Sequence, residues 1–167
     1  MPQTDQGITK DRYQVIPRTA IFLRRQDSYL LLKGAPTKRL WANKYNGLGG
    51  HVERGEDIGS AARRELLEET GITAGLWLCG IVIIDAGEIG ICLYLFGGDC
   101  PEGDCEPKPS QEGQAEWIPY ERLGDLPMVE DLPVLLAKIN NMKRGDPPFF
   151  ARSYYDERER LIVEFAE

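Results

Sequence analysis

Several things are scarce in this sequence, and each scarcity removes a class of function. No uninterrupted apolar run approaches the length of a membrane span. The opening stretch MPQTDQGITKDRYQV lacks the hydrophobic core of a secretory signal. The compartment expected by default is therefore cytoplasmic. Basic charge is in deficit: the net charge is −7, which argues against long-range attraction to nucleic acid or to an anionic membrane. No stable nucleic-acid or membrane partner is expected, and the chain should act as a monomer or a homodimer. Cysteines stand at 79, 92, 100 and 105, without the spacing of a metal site. Cys79 and Cys92 fall in apolar runs and read as buried thiols. Cys100 and Cys105 bracket CPEGDC; without a secretory signal, free thiols are the expectation over a loop disulfide. There is no internal repeat.

What remains is ordinary for a globular chain of 167 residues, 42% hydrophobic and 28% charged. That length suits one domain with a proper core. Residues 1–12 read as a loosely attached tail and 13–167 as a single domain. Apolar runs at 16–24 and 29–33 read as paired strands joined by a tight turn. Residues 34–44 carry Gly34 and Pro36 and read as a loop, in which Lys33, Lys38 and Arg39 make a local positive balance. Residues 46–52 read as a short strand whose glycines let backbone approach a ligand closely. Residues 76–85 and 89–96 form a strongly apolar hairpin from mid-sheet, and 97–114 a long surface loop. A short strand at 115–119 precedes a helical stripe within 129–142, with Asp131 near its start. Residues 149–155 and 161–165 close the chain as a hairpin. This alternation predicts an α/β fold with a mixed central sheet between helices.

One stretch stands apart, GHVERGEDIGSAARRELLEETGI at residues 50–72. Asp57 suits a helix N-cap, accepting orphan backbone N–H groups and opposing the positive end of the dipole. Gly71 suits the left-handed residue that closes a helix. Between them Glu65, Glu68 and Glu69 fall at i, i+3 and i+4 and share one face. Like charges so spaced destabilise a bare helix unless a cation lies opposite. Hard divalent ions prefer carboxylate oxygen, and Mg²⁺ takes one or two of them with water and substrate phosphates.

The stretch resembles the Nudix box: Gly, five residues, Glu, seven residues, then Arg-Glu-aliphatic-x-Glu-Glu-x-Gly-aliphatic. Gly50, Glu56, Arg64, Glu65, Leu66, Glu68, Glu69, Gly71 and Ile72 fill it without a departure. The resemblance implies a Nudix-type α/β/α sandwich and a hydrolase of phosphoanhydrides in nucleoside diphosphate derivatives, using Mg²⁺ or Mn²⁺. It implies metal ligation by Glu65, Glu68 and Glu69 with the backbone carbonyl of Gly50 or Gly49, and an accessory carboxylate at Glu56. It sets Arg64 against one of these glutamates rather than against substrate. The general base is a box glutamate or a loop glutamate, and Glu112 in QEGQAEW resembles the one that MutT-like members bring to the metal.

Three further segments resemble the MutT-like branch acting on oxidised purine nucleoside triphosphates such as 8-oxo-dGTP. These are NGLGG at 46–50, LPMVEDLP at 126–133, and the closing hairpin. In that branch the Asn reads the base and an acid faces the purine edge, which implies Asn46 and Asp131, with Glu130 as the neighbouring alternative. Lys33 is a candidate for substrate binding, and Trp41 and Trp117 are available for packing near a base, Trp117 being the better core candidate. Hydrolysis of ADP-ribose, a dinucleoside polyphosphate or an RNA 5′ end stays open as an alternative. So does a non-catalytic nucleotide sensor.

Overall fold

The computed structural model describes residues 6–9, 11–100 and 105–167. The expected tail at 1–12 falls partly outside these, and its described residues are exposed.

Residues 20–23 and 29–32 are apolar at every position because both faces of the sheet are covered there. Strand β1 (Gln14–Arg25) turns at Gln26 and Asp27 into β2 (Ser28–Gly34). Alternation then deals their side chains to two cores. Ala20, Phe22, Tyr29 and Leu31 pack on one side; Ile21, Leu23, Leu30 and Leu32 pack on the other. A strand buried on both faces reads as a continuous hydrophobic run rather than an alternating one.

The short β3 (Tyr45–Asn46) leads through the glycine-rich loop to helix α1 (Ile58–Thr70). Strands β4 (Leu76–Ile84) and β5 (Ile89–Asp99) form the expected hairpin, and β6 (Gly113–Pro119) pairs with β2. A 3₁₀ turn at Tyr120–Asp125 leads to α2 (Leu132–Asn140), followed by β7 (Phe149–Tyr155) and β8 (Leu161–Phe165). The sheet runs β3-β2-β1-β5-β4-β7-β8. It is mixed: β1 lies parallel to β5 and β4 to β7, while the hairpins are antiparallel. Helix α2 covers one face through Leu132, Leu135, Leu136 and Ile139, and α1 covers the other through Ala62 and Leu66. This is the α/β/α sandwich the sequence predicts.

Three expectations need correction. Only Tyr45 and Asn46 of residues 46–52 and their neighbourhood form a ladder; beyond them the chain meets β1 through isolated bridges, Leu48 to Ile21 and His51 to Arg18. Gly49, at φ 124°, breaks the repeat. The apolar hairpin extends three residues further than predicted, to Asp99, because Gly97 and Gly98 give Trp77 and Leu76 room against the strand. Finally, Cys100 and Cys105 are joined as a disulfide rather than free. Their Cα atoms lie 6.2 Å apart, within bridging range. Residues 101–104 of that loop lie outside the described residues. Cys79 and Cys92 are buried free thiols, as expected. Among the described residues no helix is long and apolar enough to cross a membrane.

Candidate active site

Helix α1 is fixed at both ends by its own sequence. The Asp57 carboxylate accepts the N–H groups of Gly59 and Ser60, both at 2.9 Å. Gly71 takes φ 73° and returns its N–H to the Leu67 carbonyl. So anchored, the helix presents three glutamates that share a face in sequence terms yet differ sharply in environment. Glu68 is exposed and Glu65 half-buried, whereas Glu69 turns in towards Gly49 and is 3% exposed.

Arg64 organises the two outer glutamates. Its guanidinium makes a fork on Glu56, Nε to Oε1 at 3.0 Å and Nη2 to Oε2 at 3.1 Å. Nη1 reaches Glu65 at 2.9 Å and Glu68 at 3.1 Å, and Nη2 also donates to the His51 carbonyl at 3.0 Å. Five donors in a planar fork suit this duty, which an ammonium could not perform. Arg64 holds the Glu56 carboxyl below its ordinary range.

Glu69 has no such partner. Among the described residues its carboxylate has no ion pair; Oε2 accepts the Gly49 N–H at 2.7 Å. Burial, reinforced by the charges of Glu65 and Glu112, pushes its carboxyl up to about 8 against the pull of the Gly49 N–H and Lys38. The glycines make this approach possible. A Cβ on Gly50 would lie 2.6 Å from the Glu65 Oε1, so a side chain there would expel that carboxylate. The Gly50 carbonyl accepts the Thr19 N–H at 2.8 Å, which uses one of its two lone pairs.

These groups suit a hard divalent cation. The donors are all oxygen, and a buried carboxylate lacking a positive partner is costly until one arrives. Among the described residues no three acidic, histidine or cysteine side chains already converge as a cage. An ion of the Mg²⁺ kind needs none, since it keeps water and takes substrate phosphate oxygens. Glu69, with Glu65, Glu68 and the second lone pair of Gly50, would hold it.

Two adjoining hollows share these residues. A groove of about 720 Å³ runs along the carboxylates and includes Glu65, Glu68, Glu69 and Glu112. A deeper cavity of about 390 Å³ is lined by Asn46, Glu130 and Asp131, with Ile84, Leu93 and Leu161 as apolar walls. Gly49, Gly50, His51 and Glu112 border both. Two residues far apart in the sequence, Asn46 and Asp131, are thus brought to one cavity. The Asn46 Oδ1 accepts the Gly47 N–H at 2.8 Å, which leaves its NH₂ to donate into the cavity. Asp131 begins α2 yet makes no side-chain cap bond. Burial, with the neighbouring Glu130 charge, raises its carboxyl. Glu130 is exposed and receives the Tyr155 hydroxyl at 3.5 Å.

Lys33 does not reach this cavity. Its ammonium lies 5.7 Å above the Tyr45 ring, on the strand face that alternation assigns it. The cations that do line the cavity are Arg18, Lys38 and Lys44. Lys38 Nζ meets the Glu112 carboxylate at 2.5 Å. Trp117 is partly buried and donates its indole N–H to the Cys105 carbonyl, whereas Trp41 lines the cavity. Ser153 also belongs to the cavity lining: it is 1% exposed and its hydroxyl has no partner among the described residues. Its only sequence signal is a hydroxyl at an inward position of an alternating strand.

The NUDIX domain family matches residues 15–139. The oxidized purine nucleoside triphosphate hydrolase of Danio rerio is 36% identical over 115 residues, covering 65% of this chain and 72% of that protein. The mouse (Mus musculus) protein of the same name is 29% identical over 116 residues, with the same shares covered. Among solved structures, a MutT protein from Bacillus halodurans superposes with a TM-score of 0.73 at 26% identity, over 90% of this chain and 97% of that one. With an unbroken box on a capped helix, and the family match spanning both cores, the chain belongs to the Nudix family as a MutT-like hydrolase.

Proposed function

We propose that the chain is a divalent-metal-dependent pyrophosphohydrolase that cleaves a purine nucleoside triphosphate, oxidised purines included, to the monophosphate and pyrophosphate. The observation that carries this is the cavity holding Asn46 and Asp131, which shares Glu112, Gly49 and Gly50 with the carboxylate groove. A planar base fits between the apolar walls, and its polyphosphate then runs towards the groove. The Asn46 NH₂ donates to a base carbonyl. Asp131, which burial shifts towards its neutral form, donates as well as accepts. Arg18, Lys38 and Lys44 offset phosphate charge along the way. The names of the Danio rerio and mouse relatives point to the same substrate class.

A bound Mg²⁺ or Mn²⁺ would neutralise the phosphates and acidify a water. The chain itself holds the geometry: Arg64 fixes Glu56, Glu65 and Glu68, and the Gly49 N–H fixes Glu69. Glu112, bordering both hollows, takes the proton of the attacking water. The test is a nucleotide panel with Mg²⁺, both products read by chromatography: dGTP, 8-oxo-dGTP, 2-hydroxy-dATP, ADP-ribose and a dinucleoside tetraphosphate. In H₂¹⁸O the label is expected in the monophosphate. Turnover confined to ADP-ribose or the tetraphosphate, or orthophosphate as first product, would end this reading.

A further inference from the structure

Trp41 is placed in a way that neither packing nor local propensity explains. Its backbone is left-handed, φ 59°, a conformation in which a bulky residue is an outlier. Asn43 nearby is also left-handed, at 61°, but asparagine tolerates this. The Trp41 ring gains little burial in return, being 46% exposed. The surrounding loop nonetheless holds it firmly. The Lys44 N–H donates to the Trp41 carbonyl at 3.0 Å, the Asn43 N–H to Gly34, and the Gly34 N–H to Lys44. That carbonyl sits so close to Gly34 that a Cβ there would meet it at 2.6 Å. Gly34, at the end of β2, is thus the gap into which the Trp41 backbone seats, and Trp41 lines the cavity of Asn46 and Asp131. Among the described residues lining that cavity the large aromatic side chains are Trp41 and Tyr155, and the Tyr155 hydroxyl is engaged with Glu130. A strained, half-exposed indole beside a cavity with apolar walls offers a flat apolar face at its rim.

Resting on the function proposed above, we infer that Trp41 is the stacking platform for the nucleobase, a binding residue that grips any purine face while Asn46 and Asp131 discriminate its edge. Every base has a π-face, so stacking adds affinity without reading sequence; its loss weakens binding about 10-fold or more. The ring touches the base and not the reacting phosphates, so the loss is of uniform binding and falls on KM.

The experiment is steady-state hydrolysis of dATP, dGTP and 8-oxo-dGTP with Mg²⁺ by the wild type and by Trp41→Leu, Trp41→Phe and Trp41→Gly. It is paired with tryptophan fluorescence during titration with the product monophosphates, and with thermal melts. Trp41→Leu is expected to raise KM about 10-fold for all three substrates alike, with kcat within about 2-fold and Trp41→Phe intermediate. Monophosphates are expected to quench wild-type emission, and the quench to vanish in Trp41→Leu. Trp41→Gly, freed of left-handed strain, is expected to melt no lower than the wild type, whereas a merely structural tryptophan would lower the melting temperature. Unchanged KM and retained quenching in Trp41→Leu overturn the inference while leaving the proposed function standing. A wild type that turns over none of the three triphosphates removes both.

Discussion

Replacing Glu69 by glutamine should make the metal-free protein more stable and the enzyme nearly inactive, and both effects follow from one buried carboxylate. In the fold its carboxyl is raised from 4.5 to about 8, chiefly by burial. A raised acid favours the neutral form, so its contribution is fully favourable below about pH 4.5 and is lost as pH climbs through 8. At 1.36 kcal/mol per unit, the loss is about 3 kcal/mol at pH 7 and on the order of 5 kcal/mol above pH 8. Glutamine keeps an acceptor for the Gly49 N–H and carries no charge, so this pH dependence disappears. Glu56, Asp57, Asp156 and Glu164 are lowered by their partners and act in the acid range, while Asp131, raised by burial, is common to wild type and variant and cancels between them. Subtracting variant from wild type therefore isolates Glu69 between pH 5 and 8.5. The assay is urea unfolding in EDTA across that range. The variant should gain several kcal/mol on the wild type towards pH 8.5, equivalent to about 10 °C in Tm. Mg²⁺ should recover the difference for the wild type alone. With Mg²⁺ present, kcat of the variant should fall by roughly 10²–10⁴. Parallel unfolding curves from pH 5 to 8.5 would refute the assignment of Glu69 as a buried carboxylate awaiting a cation.

Other perturbations separate the parts of the site. Asn46→Ala and Asp131→Ala should each raise KM for purine triphosphates about 10-fold and alter the preference among bases, with the metal requirement intact; kinetics on the nucleotide panel decides. Arg64→Lys should lower kcat about 10²-fold with the helix retained by circular dichroism, because an ammonium cannot reproduce the fork on Glu56 while holding Glu65 and Glu68. Gly50→Ala should displace the Glu65 carboxylate, and a metal titration by calorimetry should show affinity reduced about 10-fold or more.

Much of this was readable in the chain because local rules and tertiary structure agree. Asp57 and Gly71 bound α1 as their chemistry dictates, and residues 149–155 and 161–165 are the closing hairpin. What escaped depends on direction rather than spacing. The i, i+3, i+4 rule places Glu65, Glu68 and Glu69 together but cannot say that only Glu69 turns inward. Lys33 and Lys38 are equally plausible as charges in a sequence; strand alternation sends Lys33 to Tyr45, and the loop brings Lys38 to Glu112. Ser153 resembles any serine until the fold buries it in the cavity lining. The Cys100–Cys105 bridge departs from the expectation because compartment, which favours free thiols, says nothing of the 6.2 Å Cα separation that allows bridging.

The Ala35 N–H donates to the Glu112 carbonyl at 3.2 Å, and Lys38 meets the Glu112 side chain, so residues 34–44 and the segment ending at Gly113 are clipped together twice. The segment that displays Trp41 and the one proposed to take the proton are then a single mechanical part. For an engineer seeking a new base preference, the exchangeable cassette is both segments together. Transplanting residues 34–44 alone would leave Glu112 without the neighbours that set its pose.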